Sequence, residues 1–480
     1  MLPLIPWPTE VTQPDAPALE LPAVRVDAPD AQFAELVAEQ LSAAGVPLAA
    51  AADAVPFTLR LDTAAGPQGS DSPERYTLAV GEGAITATAA EPVGLLHAAR
   101  SLRQLVVRPD DAAGRRGSVP AVVVHDAPRY RWRGLSFDVV RHWFGPDDIR
   151  AVVDLVAAFK LRVLHLHLTD DQGWRIEIPS RPELEKASDN QVGGGSAGYL
   201  TVEDFRALQD YAGARHVTIV PEFDMPGHVN AATHVYGGLT DDGVATDAYG
   251  GIEVGFSRLW FDNPATEPFV RDVVGDLARM TDGEWVHVGG DEVLTMEREE
   301  FARFVELAQR VVREHGKTPV FWQEGARGPV EPGTLLQYWE PKGEDLDRFV
   351  AAAQGGARFI MSPGNHTYLD MKYTAEHPLG LQWAGFVELR DSYEWEPTAV
   401  IEGLPAAAVE GVSAAVWTET LTTRDELFSM LLPRLGAVAE VAWTSAEAKD
   451  FDGFTARTAA QAPAWRSAGW AFHPTPQVAW

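Results

Sequence analysis

The 480-residue chain contains no cysteine. Disulfides and thiolate metal sites are therefore excluded. It is also short of cations: 39 Lys and Arg stand against 69 Asp and Glu, a formal net charge of −30. Nucleic acid and anionic membrane surfaces both call for a basic face, so neither is an expected partner. No stretch approaches the roughly 20 uncharged apolar residues of a membrane span. The opening segment, MLPLIPWPTEVTQPDAP, lacks a basic start, and Pro3, Pro6 and Pro8 break its apolar run, unlike a secretory signal. These features predict a soluble, cytoplasmic protein. A Gly-rich phosphate loop after an early strand is missing too, which argues against a doubly wound nucleotide-binding sheet.

What is present is apolar mass. At 46% hydrophobic the chain can bury a large core, and its length suits two or three domains. Residues 1–128 read as a small α+β domain. YTLAVGEGAITATAA (76–90) alternates and turns at Gly81 and Gly83, as a hairpin does, and EPVGLLHAARSLRQLV (91–106) has helical apolar spacing. A different rhythm fills 129–480. Eight short apolar runs stop abruptly on polar or aromatic residues: YRWRGLSFDVV, RVLHLHLTDD, HVTIVPEFD, EWVHVGGDE, PVFWQE, TLLQYWE, ARFIMSPG and VSAAVWTE. Helical patterns such as PDDIRAVVDLVAAFK and EEFARFVELAQRVVREH lie between them. Alternating strands and helices imply a parallel sheet, and eight such units imply a closed (β/α)8 barrel, the TIM-type α/β fold.

A barrel gathers its strand ends at one mouth, where such folds carry their chemistry. The runs end in Asp138 and Arg141, Asp170 and Asp171, Glu222 and Asp224, Asp291 and Glu292, Trp322 and Glu324, Trp339, and Trp417 and Glu419. Acids and tryptophans together suit a sugar: indole faces pack against a pyranose, and carboxylates accept its hydroxyls. Two carboxylates are also what glycoside hydrolysis ordinarily uses. The adjacent pair Asp291–Glu292 is odd in that role. Neighbours on a strand point opposite ways, so different jobs are expected of the two acids.

The ordered set LIPWPTEV, RGLSFDVVRHWF, KLRVLHLHLTDDQGWRIEI, VTIVPEFDMPGHV, HVGGDEV, LLQYW, YLD and AVWTE resembles glycoside hydrolase family 20, the β-N-acetylhexosaminidases. The resemblance covers nearly the whole chain. It implies an exo-acting enzyme on terminal β-linked GlcNAc or GalNAc, with the substrate's own 2-acetamido oxygen as nucleophile and an oxazolinium ion as intermediate. It implies Glu292 as general acid and Asp291 as the group that orients the acetamide and answers the positive charge on its nitrogen. Arg141 would hold the 3- and 4-hydroxyls and Glu419 the 4- and 6-hydroxyl side. Trp322, Trp339 and Trp417 would wall the pocket. Tyr368 would bond the acetamide oxygen, Asp370 the 6-hydroxyl side, and Asp170 and His228 would support the acid. The implied partner is a small carbohydrate, and no cofactor or metal is implied. His165 and His167 alternate in LHLHL, but the sequence offers no third ligand of matching logic.

Two stretches depart from the family's usual pattern, at Arg162 and Leu200. DNQVGGGSAG (189–198) reads as a mobile loop near the mouth. Two other readings stay open on the residues alone. An ordinary retaining β-glycosidase would use Glu222 or Glu324 as nucleophile, and a catalytically silent protein would only bind sugar.

Overall fold

Each of the eight apolar runs forms a strand, and the strands close into one parallel barrel. In chain order they are β1 (Trp132–Asp138), β2 (Val163–His167), β3 (Thr218–Glu222), β4 (Trp285–His287), β5 (Thr318–Trp322), β6 (Leu335–Tyr338), β7 (Arg358–Met361) and β8 (Val409–Val416). The last of these returns to pair with β1. These elements come from a computed structural model that describes residues 1–43, 45–50, 54–107, 117–341 and 346–480. The expected helices follow, including Val202–Ala214, Thr266–Met280 and Arg298–Glu314. The first of them opens on a capping box between Thr201 and Asp204, which satisfies otherwise orphaned backbone donors.

The barrel interior is layered, and the layering decides where chemistry can occur. Trp132, Val163, Val220, Trp285, Val320, Leu335 and Ile360 form one buried apolar cluster, which takes in the first residues of β1, β2, β4 and β6. Trp132 and Trp285 meet edge to face at 4.9 Å, a favoured aromatic geometry. Two residues further along β2 the filling turns polar. His165 Nδ1 lies 2.8 Å from Ser136 Oγ, and Gln337 donates to Ser136 Oγ at 3.1 Å and to Ser362 Oγ at 3.0 Å. At the strand ends Asp138, His167, Glu222 and His287 share one register across β1 to β4. The dry layer sits at one end and the ionisable layer at the other.

The chain divides into two compact units. One is Trp132–Ala157 with Leu161–Arg434, which holds the barrel strands. The other joins Met1–Arg131 to Ala158–Lys160 and Leu435–Trp480. The sequence-level boundary at 128 thus meets a second one, because the last segment groups with the first. Buried polar contacts inside that unit give the reason. Lys160 Nζ donates to Asp126 Oδ2 at 3.0 Å and Tyr76 OH at 2.8 Å, and Trp443 Nε1 donates to Asp126 Oδ1 at 2.8 Å. The same unit contains a six-stranded sheet with the expected hairpin, Tyr76–Gly81 against Ala84–Ala89. Its turn places Glu82 and Gly83 at positive φ, the geometry tight hairpins favour. The helix Pro92–Leu105 begins with proline in its first turn, where the missing N–H costs nothing. Among the described residues, no helix is long and apolar enough to cross a membrane.

Candidate active site

The centre of the ionisable layer is Glu222, fully buried and surrounded by donors. Its Oε2 lies 3.0 Å from His165 Nε2 and 2.6 Å from His167 Nδ1. Its Oε1 accepts from Trp322 Nε1 at 2.8 Å and lies 2.9 Å from His287 Nδ1. Burial opposes its charge, but the three imidazoles outweigh burial and hold the carboxyl well below its ordinary range. His167 carries the matching charge. Its other nitrogen, Nε2, lies 2.8 Å from Asp170 Oδ2, so both ring nitrogens donate to carboxylates. Burial would lower its pKa, yet Glu222 and Asp170 lift it to about 9. His287 goes the other way: burial dominates and pushes it down to about 4.

From Asp170 the network runs outward to the two adjacent acids. Arg141 Nη2 meets Asp170 Oδ2 at 2.7 Å, and the guanidinium lies 5.0 Å from the centre of the Trp417 ring. Asp138 fixes the turn that presents Arg141, accepting from Val140 N at 2.7 Å and from Thr418 N at 3.0 Å. His228 Nδ1 lies 3.2 Å from Asp170 Oδ1, while its Nε2 lies 3.3 Å from Glu292 Oε2 and 3.8 Å from Asp291 Oδ2. Burial works against charge on His228, but Asp170, Asp224 and Asp291 raise its pKa well above the usual value. Burial, Asp224 and Glu292 push the Asp291 carboxyl upward, and His228 pulls against them.

Asp291 and Glu292 are not on a strand, as their sequence position had implied. β4 stops at His287, and Gly289 and Gly290 then adopt positive φ. A Cβ on Gly289 would lie 1.8 Å from Asp224 Oδ1, so only glycine passes this point. Glu292 itself sits at φ 50, and His228 at φ 52. Left-handed backbone in bulky residues is strained, and such strain gathers at functional sites. A loop, not a strand pleat, therefore sets the directions of the two acids, and their carboxyl oxygens lie 3.8 and 3.3 Å from the same His228 Nε2.

Aromatic residues enclose the space beside Asp291. Trp322, Trp339 and Tyr368 belong to one buried cluster with Met371, Val387 and Ala415, and half-buried Trp417 packs against it. Trp339 and Tyr368 lie nearly parallel, 6.3 Å apart. Trp383 meets both edge-on, at 5.5 and 5.3 Å, and is 44% exposed. The sequence reading missed Trp383. It lies in a connection with no strand-end signature, and only its position in space gives it away. Asp370 is buried with neither carboxyl oxygen hydrogen-bonded within the protein. Burial and then Glu419 raise its pKa. Burial lifts Glu419 to about 7 despite Arg141. Asp370 thus has carboxyl oxygens open to a ligand.

The loop expected to be mobile is tied down. Val192 N donates to Arg141 O, Gly193 N to Gly250 O, and Asn190 Nδ2 to Tyr249 O, at 2.9, 2.9 and 2.7 Å. Leu200, one of the two departures, is fully buried and bridges to Ile176. His165, Glu222 and His287 offer ligand atoms within 4.8 Å of one another, as do Asp224, His228 and Asp291. The first set contains donors a divalent metal accepts, but each imidazole already faces a Glu222 oxygen.

A parallel barrel whose mouth holds a half-buried acid, buried aromatic side chains and a buried carboxyl without a protein partner fits a carbohydrate-processing enzyme of the glycoside hydrolase class. Residues 130–446 match the catalytic domain of glycosyl hydrolase family 20, and residues 1–127 match that family's domain 2. A beta-N-acetylhexosaminidase of Cellulomonas fimi is 54% identical over 408 residues, 85% of this chain and 82% of that protein. The N-acetyl-beta-hexosaminidase of Streptomyces plicatus, solved with Thio-NAglucal, superposes with a TM-score of 0.93 at 41% identity, covering 100% of this chain and 98% of that one. A mutant of that enzyme, solved with its product GlcNAc, gives a TM-score of 0.92 at 41% identity with the same coverage. The family 20 beta-N-acetylhexosaminidase of Streptomyces coelicolor A3(2) gives 0.92 at 40%, covering 100% and 99%. The chain belongs to glycosyl hydrolase family 20, and it is a glycoside hydrolase of the β-N-acetylhexosaminidase type.

Proposed function

We propose that the protein is an exo-acting, retaining β-N-acetylhexosaminidase that removes terminal, non-reducing β-linked GlcNAc or GalNAc from small oligosaccharides by substrate-assisted catalysis. The acetamido oxygen attacks the anomeric carbon as the glycosidic C–O bond breaks, and Glu292 gives its proton to the departing oxygen. The resulting oxazolinium ion is then opened by water at the same carbon. Glu292 takes the water's proton and the amide is regenerated, so two inversions leave the configuration retained. An internal nucleophile gains its advantage only when held near attack geometry, which is the task of the pocket formed by Trp322, Trp339, Trp417 and Tyr368. Asp291 accepts from the acetamide N–H and faces the positive charge that grows there, so its contribution is largest at the transition state. Arg141, Asp370 and Glu419 hold the sugar's hydroxyls. Asp170 and His228 act through Glu292.

The chief support is that the two strand-end acids read as possible nucleophiles, Glu222 and Glu324, are both engaged by protein donors. Glu222 is fully buried, its two oxygens hydrogen-bonded to His165, His167 and Trp322, with His287 Nδ1 2.9 Å away. Glu324 is raised to about 8 and bonded to an indole. The names of the relatives, and the GlcNAc bound by the S. plicatus mutant, agree with an acetamido sugar. The test compares nitrophenyl β-N-acetylglucosaminide with the matching β-glucoside. Cleavage of the acetamido sugar alone, by several orders of magnitude, is expected. Comparable cleavage of both would overturn substrate assistance.

A further inference from the structure

Trp339 is held by two consecutive residues of another element. The short turn Gln323–Arg327 follows β5 directly. Gln323 Oε1 accepts from the backbone nitrogens of Trp339 at 2.9 Å and Glu340 at 3.0 Å. The next residue, Glu324, accepts from Trp339 Nε1 through Oε2 at 3.2 Å. One residue therefore fixes the main chain of this tryptophan and its neighbour fixes the indole. Glu324 is buried, and the charged or titratable groups that act on it from around the pocket are Asp291 after β4, Tyr368 after β7 and Arg327 on its own turn.

We propose that Glu324 is a positioning residue that works in its neutral form: it sets the Trp339 wall of the acetamide pocket and keeps a second anion away from Asp291. This rests on the roles given above to Asp291 and Trp339. Asp291 can answer a growing positive charge only as a carboxylate. A carboxylate at Glu324 would be a like charge in low dielectric, and it would make Asp291 hold a proton more tightly. Burial and Asp291 together keep Glu324 protonated up to about pH 8. Above that, its ionisation would disarm its neighbour. An acid-bonded indole thus becomes a condition on the working pH range.

The experiment measures kcat and KM on nitrophenyl β-N-acetylglucosaminide from pH 5 to 10 for the parent, Glu324→Gln and Glu324→Leu. Glutamine keeps the acceptor for Trp339 and cannot ionise; leucine loses both properties. At pH 6, Glu324→Gln is expected within about 3-fold of the parent, and Glu324→Leu to raise KM about 10-fold. The alkaline fall in kcat/KM is expected to move up by about one pH unit or more in Glu324→Gln. An unmoved alkaline limb in Glu324→Gln, or a glutamine variant no better than leucine at pH 6, overturns the proposal. Should Glu324→Leu fail to fold, the glutamine profile decides alone. A parent that cleaves the matching β-glucoside equally well overturns the substrate-assisted mechanism, and this proposal with it. An unmoved limb alongside a strict acetamido requirement overturns this proposal only.

Discussion

His228 Nε2 lies 3.3 Å from Glu292 Oε2, while the opposite nitrogen of the same ring lies 3.2 Å from Asp170 Oδ1. The imidazole lies between a buried carboxylate and the half-buried rim acid. Glu292, beside it, has left-handed backbone and a side chain 28% exposed, and the role proposed for the ring is to orient that acid. Replacing His228 with Gln is expected to lower kcat by about 10²-fold with little change in KM, because the acid loses its orientation and not the sugar its contacts. A KM effect as large as the kcat effect would instead place the ring on the substrate.

Glu292→Gln should discriminate between leaving groups. Proton donation typically contributes about 10²–10⁴-fold. A disaccharide should lose activity on that scale. A dinitrophenyl glycoside, whose leaving oxygen departs without a proton, should lose far less in its first step. Equal losses on both substrates would remove Glu292 from the acid role.

Arg141 separates charge from geometry. It neutralises Asp170 at 2.7 Å and lies over Trp417. Arg141→Ala takes the guanidinium from buried Asp170, which keeps His167 and His228, and is expected to cost about 3–5 kcal/mol of stability, seen in urea unfolding. Arg141→Lys keeps the charge without the planar fork. It should be markedly more stable than the alanine variant, yet still raise KM at least about 10-fold.

Asp370 is costly to the fold and open to a ligand. Both its oxygens are buried without a hydrogen bond in the protein. Asp370→Asn is expected to leave thermal stability equal or higher, while weakening GlcNAc binding about 10–100-fold by calorimetry. A variant that is both less stable and equally good at binding would contradict that division.

Stability should fall on the alkaline side for a local reason. The pKa of His167 is raised to about 9, so its contribution is complete below its unfolded value near 6.5 and is lost as pH rises through 9. Asp224 and Glu324, both lifted to about 8 chiefly by burial, are held neutral in the fold and lose their contribution as pH rises through 8. His287, depressed to about 4, acts oppositely: its contribution is present above about 6.5 and lost as pH falls through 4. Thermal unfolding at pH 10 is therefore expected roughly 5 °C or more below that at pH 7. A flat profile across that range would show that these groups are not held as described.

The barrel was legible because each strand is a short apolar run with a polar stop, and all eight runs became strands. The rim residues were legible for the same reason. Glu222 shows the limit of strand-end reasoning. As a strand-end acid it looked like a possible nucleophile. His165 and His167 lie on the strand before it and His287 on the strand after, each more than 50 residues away in sequence, and they meet it only when those strands pair. The sequence likewise showed no partner for the histidine pair, because Glu222 and His287 lie on other strands. The strand geometry expected of Asp291 and Glu292 is absent, since β4 ends at His287 and Gly289 and Gly290 turn the chain before them. Trp383 had no local signal at all.

The contacts that Lys160 and Trp443 make with Asp126 carry a consequence for the order of events at the ribosome. A chain is made from its amino end, and domains generally fold as they emerge. Here the unit that begins first contains Leu435–Trp480. Until that segment has been synthesised, Asp126 lacks the indole partner it has in the finished fold. The barrel strands all precede that segment in the chain, so the unit holding Asp126 is completed after them.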